Sequence, residues 1–155
     1  MTVAVEAVIA LGANLGDPLR TITQALRDLA DIPDTEVLRT SSLYRTAPHQ
    51  ATGPDFINAV ALVRTEQSPL ALLHALQAQE ARAGRERPYP NAPRTLDLDL
   101  IVHGDACIQT PALTLPHPRW RERAFVLVPL AEICPERVPA DAWQAVQDQP
   151  IERLP

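Results

Sequence analysis

Asp97 and Asp99 stand two residues apart in the run Arg94-Thr95-Leu96-Asp97-Leu98-Asp99-Leu100-Ile101-Val102. Apolar and acidic residues alternate there with the period of a β-strand. Leu96, Leu98 and Leu100 therefore share one face, and the two carboxylates share the other. Residues two apart on a strand lie about 7 Å apart at the backbone, so both side chains reach one small volume. Like charges held so close repel unless a cation lies between them. A hard ion that prefers carboxylate and phosphate oxygens suits such a pair, and Mg²⁺ is the expected one. An isolated D-x-D is also what the wet face of an edge strand looks like. The flanks shift the balance. Arg82, Arg85, Arg87 and Arg94 precede the pair, and His117, Arg119, Arg121 and Arg123 follow it. Guanidinium groups beside metal-binding carboxylates suggest a polyphosphate ligand, with some phosphate oxygens neutralised by metal and others held by arginine forks.

Other groups carry less. Gly12-Ala13-Asn14-Leu15-Gly16 lies between a strand pattern and a helix pattern. It has neither the Lys-Ser/Thr ending of a phosphate loop nor the three-glycine dinucleotide fingerprint, and reads as a turn feeding a helix cap. A nucleotide must then be held by side chains and metal. His117 falls in Thr114-Leu115-Pro116-His117-Pro118, a rigid segment beside three arginines, where imidazole can donate to phosphate or accept from a neighbour. His74 reads as a packed or solvated residue in mid-helix. His49 and His103 lie in loop or turn positions with no partner in view. Phe56 and Asn58 project from one strand face. Such a pair can stack on a flat heterocycle and read its edge, or be a core aromatic beside a strand-end polar group.

The elements that must position these groups follow in a clear order. Val3 to Leu11 reads as a buried strand. Asp17 caps a helix with Pro18 at its first position, and Leu19, Ile22, Leu26 and Leu29 carry its apolar spacing to about Ala30. Thr35 to Tyr44 reads as a second strand, residues 46–55 as a loop and Phe56 to Arg64 as a third strand. Ser68-Pro69 opens a second helix that Gly84 ends. Arg85 to Pro93, with its prolines, reads as a mobile loop. The D-x-D strand follows, then a Gly104-Asp105 turn and a short edge strand at Ala106 to Ile108. A last helix spans about Glu122 to Ile133, with Pro129 expected to kink or divide it. The tail from Pro135 reads as irregular, with one turn near Trp143. The order β-α-β-β-α-β is the split βαβ or ferredoxin-like arrangement, an antiparallel sheet with helices on one face. Many functions use that fold.

Composition sets the frame. The chain has 155 residues, 46% of them apolar, enough for one domain with a real core. A net charge of −5 with 4% aromatic residues argues against broad nucleic-acid binding but leaves room for a small anionic substrate. No secretory leader pattern or membrane-length apolar run is seen, so a cytoplasmic setting without membrane is expected. Cys107 and Cys134 read as buried thiols in a reducing compartment.

Together these residues resemble the 6-hydroxymethyl-7,8-dihydropterin pyrophosphokinase family. Arg94-Thr95-Leu96-Asp97-Leu98-Asp99-Leu100 is similar to the family signature. Leu11 to Gly16, Ser42 to Thr46, Phe56 to Ala59, Glu80 with Arg85 and Arg87, and Pro116 to Phe125 agree in order and spacing. The resemblance implies a ferredoxin-like fold and transfer of pyrophosphate from ATP to the pterin hydroxymethyl group, releasing AMP. It implies two Mg²⁺ ions held by Asp97 and Asp99, with Asp97 also near the substrate hydroxyl, and Arg85, Arg87 and Arg94 as the catalytic triphosphate clamp. Nucleotide contacts would come from Glu80, Leu100, Thr114, His117 and Arg123 besides that clamp. Pterin contacts would come from Thr46, Pro48 and Asn58, with Phe56 and Phe125 enclosing the ring. A monomer is expected. The chain departs from the family pattern at Asn91, where tryptophan is common, at His49 for leucine, and at Phe56 for tyrosine. Two other classes remain open: a metal-dependent phosphohydrolase, and a catalytically silent ferredoxin-like module that binds a small ligand or a protein.

Overall fold

A computed structural model of the chain describes residues 3–48, 53–84 and 96–155. His49, Arg85, Arg87, Tyr89, Asn91, Arg94 and the expected Arg85–Pro93 loop lie outside the described residues.

Strand β1 spans Val5–Ala13 and pairs antiparallel with β4, Phe56–Thr65, on one side and with β5, Asp97–His103, on the other. Strands β2, Thr35–Thr40, and β3, Tyr44–Thr46, pair in succession with β4. The expected single strand from Thr35 to Tyr44 is therefore two. The break has a local cause: the Ser41 hydroxyl accepts the Val60 N–H at 2.9 Å and donates to the Ser42 carbonyl at 2.7 Å, displacing regular pairing. The main sheet runs β5–β1–β4–β3, with β2 beside β4, which is the ferredoxin-like order.

Helix α1, Pro18–Leu29, starts as its sequence predicts: the Asp17 carboxylate accepts the Arg20 N–H at 3.2 Å. Helix α2, Pro69–Gly84, starts with the Ser68 hydroxyl accepting the Ala71 N–H at 3.2 Å. Both pack on one sheet face. Ile22, Leu29, Leu72 and Leu76 bury against Ile9, Leu11, Ala59, Val63, Leu98 and Leu100 there. The opposite face carries Val8, Ala10, Val60, Leu62 and Ile101, and helix α3, Ala124–Ile133, covers them with Val126, Leu130 and Ile133.

Pro129 lies inside α3 without dividing it. Proline forfeits one helical hydrogen bond. Burial of Val126, Leu127, Pro129 and Leu130 offsets that cost. After the Gly104 turn, β6 at Ile108–Gln109 pairs with β7 at Thr114–Leu115 as a separate ribbon, not as an edge of the main sheet. The tail holds a short helix α4, Ala140–Ala145, and a two-residue strand β8, Glu152–Arg153, which pairs with β3. His103 is buried, its Nε2 2.8 Å from the Gln67 carbonyl, so it has the partner the sequence did not reveal. Cys134 is buried as expected, whereas Cys107 is exposed.

Candidate active site

Helix α3 leaves one end of its sheet face uncovered, and there the residue types change. In β4, Leu62 and Val60 give way to Asn58 and Phe56; in β1, Val8 and Ala10 give way to Gly12; in β5, Ile101 gives way to Asp99 and Asp97. The strand period of two keeps all these residues on one face. Pairing aligns Asp97 with Gly12, Gly12 with Asn58, and Asn58 with Tyr44, one row across four strands. Asp99 pairs with Ala10. Both carboxylates thus have a small neighbour on β1, which leaves space above the strand between them and β4.

Gly12 belongs to β1, not to the turn that the sequence suggested; the chain leaves the sheet after Ala13. A Cβ added at Gly12 would sit 3.4 Å from Asn58 Oδ1, so the absent side chain opens a floor beside that oxygen. Neighbouring strands are about 4.8 Å apart, so roughly 10 Å separates β5 from β4 across the glycine. Asn58 is 3% exposed. Its Nδ2 donates to Thr46 Oγ1 at 2.9 Å, which fixes the amide and turns Oδ1 toward Gly12. Thr46 pairs with Phe56, which is half-buried, as is Pro48.

The segment after β7 brings the cationic groups. The His117 N–H donates to the Ile101 carbonyl at 2.8 Å, tying the segment to β5. Burial pushes the His117 imidazole below its ordinary pKa; Asp99 opposes this, and Arg123 and Arg119 add to it. Its Nδ1 accepts the Arg119 N–H at 3.3 Å. A neutral ring bonded in this way carries its proton on Nε2, a donor suited to a phosphate oxygen. The Arg123 guanidinium lies over the Phe125 ring, 5.3 Å from its centroid, so an expected nucleotide contact stacks on an expected pterin contact.

Glu80 reaches from α2 to the outer edge of β5, where Oε2 accepts the Leu98 N–H at 2.7 Å. Leu100, an expected nucleotide contact, lies two residues further along β5. Its side chain is in the core beneath the other sheet face, so only its backbone can meet a ligand. Leu100 has the same parity as Leu98, so its N–H and C=O face the outer edge. Thr114 is half-buried on β7. The described residues therefore bring Asp97, Asp99, His117, Arg123, Asn58, Thr46 and Phe56 to one end of one face. The sequence reading missed Gly12; a glycine directly continuing a buried apolar strand run was the available signal.

The carboxylate pair also fits a metal. Among the described residues, no group of three or more His, Cys, Asp or Glu side chains gathers as a closed cage. Mg²⁺ is commonly held by one or two carboxylates, with water and substrate phosphates completing its shell, so Asp97 and Asp99 could hold it.

An antiparallel sheet in this order, helices on one side and carboxylates, an amide and arginines at one end of the other, defines a ferredoxin-like α+β domain with a polar ligand face. Residues 8–135 match the family described as 7,8-dihydro-6-hydroxymethylpterin-pyrophosphokinase, and the chain belongs to that family. It is 41% identical over 154 residues to 2-amino-4-hydroxy-6-hydroxymethyldihydropteridine pyrophosphokinase of Pseudomonas aeruginosa, covering 95% of each chain. It is 46% identical over 132 residues to the Synechocystis enzyme of that name, covering 85% of this chain and 68% of the relative. Among solved structures, a Plasmodium falciparum HPPK-DHPS triple mutant with STZ-DHP superposes with a TM-score of 0.70 over 96% of this chain. This chain spans 42% of that longer one, and at 14% identity the likeness is one of fold. No helix among the described residues is long and apolar enough to cross a membrane.

Proposed function

We propose that the chain transfers the pyrophosphoryl group of ATP to the hydroxymethyl group of 6-hydroxymethyl-7,8-dihydropterin, giving AMP and the pterin diphosphate in folate biosynthesis. Family membership supports the reaction; the row Asp97–Gly12–Asn58 is the observation that carries the assignment of the site. Its roughly 10 Å span accommodates a flat bicyclic ring between an amide that reads hydrogen bonds and a carboxylate at the reacting end.

Asn58 Oδ1, held by Thr46, accepts N–H groups from the ring edge. Phe56 and Phe125 enclose the ring faces, and Pro48 borders the subsite. Asp97, at the other end of the row, lies where the hydroxymethyl group arrives and can take its proton. The hydroxyl oxygen bonds to the β-phosphorus as the bond from that phosphorus to the α,β-bridging oxygen breaks, and AMP leaves with the bridging oxygen. His117 Nε2–H and Arg123 hold phosphate oxygens. The outer backbone edge at Leu100, with Thr114 and Glu80, borders the nucleoside. Arg85, Arg87 and Arg94 complete the clamp in the proposal. Asp97 and Asp99 would hold two Mg²⁺ ions with ATP, and these supply charge neutralisation at the transferring group. ATP use and free thiols suit a cytoplasmic setting, and a monomer suffices for the site.

The test mixes the protein with Mg·ATP and hydroxymethyl-dihydropterin and resolves the products. AMP with the pterin diphosphate is expected, and chelation of Mg²⁺ should abolish both. ADP formation would refute pyrophosphoryl transfer. ATP consumption that does not need the pterin would favour a phosphohydrolase.

A further inference from the structure

Glu132 is out of place as a helix residue. It lies one position before the end of α3, where the negative end of the helix dipole disfavours a carboxylate. Tertiary contacts override that preference. The Ser42 N–H is shared by its two oxygens at 3.0 and 3.1 Å. The Ser42 hydroxyl donates to Oε2 at 2.8 Å, and the Tyr44 hydroxyl donates to Oε1 at 2.7 Å. The Arg153 guanidinium, on β8, stands 3.6 Å from Oε2. One carboxylate thus joins α3, the start of β3 and the tail strand.

The consequence lies two residues along. Tyr44 is buried, pairs with Asn58, and begins the three-residue strand whose last member is Thr46. Thr46 Oγ1 fixes the Asn58 amide. A strand so short has little ladder of its own to hold it in place, and α3 supplies the grip. Glu132 is not buried, and an ion pair with the largely exposed Arg153 adds little to stability, so the cluster contributes placement more than strength.

We infer that Glu132, gripping Ser42 and Tyr44, is a positioning residue that sets Thr46 and hence the orientation of the Asn58 amide toward the ring of a pterin. The inference rests on the proposed function and adds to it a residue outside the ligand contacts. It separates pterin recognition from nucleotide recognition, because the chain of contacts runs through β3 and β4 and not through the His117–Arg123 segment.

The experiment measures steady-state kinetics of wild type, Tyr44→Phe, Glu132→Gln, Thr46→Val and the Tyr44→Phe/Thr46→Val pair, with thermal melts of each. Tyr44→Phe keeps the ring and its packing, so it folds even if Glu132→Gln does not. KM for the pterin should rise roughly three- to tenfold in Tyr44→Phe, the scale of one disturbed hydrogen bond, while KM for ATP stays within about twofold. The double variant should resemble Thr46→Val alone, because both changes act through one amide. An unchanged pterin KM, a parallel rise in both KM values, or additive effects would overturn the inference and leave the proposed function standing. A wild-type chain that makes no AMP would overturn both.

Discussion

The sheet face under α3 has two ends made by the same strands. At the closed end, Val8, Ala10, Val60, Leu62 and Ile101 meet Val126, Leu130 and Ile133 and exclude water. At the open end, Gly12, Asn58, Phe56, Asp97 and Asp99 continue the same strands with no helix above them among the described residues. The register of β1 with β4 is unbroken from one end to the other, while β5 shifts against β1 at a bulge between Val8 and Ile9. Along the β1–β4 pair it is the chemistry of the side chains that changes, and with it what each residue contributes. A rigid ladder built for burial at one end holds polar groups in a fixed geometry at the other, the support a site needs to be preorganised.

The sharpest break of that comparison removes a carboxylate. Asp97→Ala or Asp99→Ala should cut kcat/KM about 10³-fold, the scale of several kcal/mol of lost charge stabilisation. Neither acid is in the core, so the unfolding free energy should change by no more than about 0.5 kcal/mol. Near-normal turnover in either variant would mean the open end is not where phosphate is handled. The mirror experiment uses the face packed by α1 and α2. Leu76 is fully buried there, and Leu76→Ala should lose about 3 kcal/mol of stability in urea titrations. The folded fraction should keep wild-type KM values for both substrates.

Gly12→Val tests the floor between the two halves of the row. A branched side chain suits a strand, so folding should persist. The new methyl groups would occupy the space next to Asn58 Oδ1, where the Cβ alone comes within 3.4 Å. Pterin KM should rise by about tenfold, with a smaller change for ATP. An unaltered pterin KM would place the ring elsewhere.

Much of this was legible because local rules and tertiary structure agree. The alternation from Leu96 to Leu100 gave the face of Asp97 and Asp99, and the Asp17-Pro18 and Ser68-Pro69 pairs gave both helix starts. The rest depends on partners distant in sequence. Helix α3 buries most of its circumference, so it has no polar stripe to say which sheet face it covers. Strand β8 has two residues and a partner more than a hundred positions earlier, beyond any periodicity. Gly12 reads as a turn residue from composition, and only its pairing with both Asp97 and Asn58 reveals it as a gap in a row. The Glu132 cluster was invisible for the same reason, since nothing near Glu132 in sequence requires a carboxylate.

Tyr44 lies on the boundary between the two ends and offers the smallest and most selective test. Burial, then the hydrogen bond to Glu132 and the charge of that carboxylate, raise its phenol from about 10 to about 12 in the folded chain. A group whose folded pKa is raised binds its proton more tightly when native, so its stabilisation is complete below pH 10. That stabilisation should fade as the pH climbs from 10 to 12. The buried Cys134 thiol is also raised, by burial and by Glu136, and makes its own contribution to alkaline loss from lower pH. Tyr44→Phe separates the two. Denaturant midpoints measured from pH 8 to 12 should show a smaller decline above pH 10 in the variant than in wild type, with the decline below pH 10 unchanged. Parallel curves throughout would mean that the phenol stays in contact with solvent, and that the closed end stops short of β3.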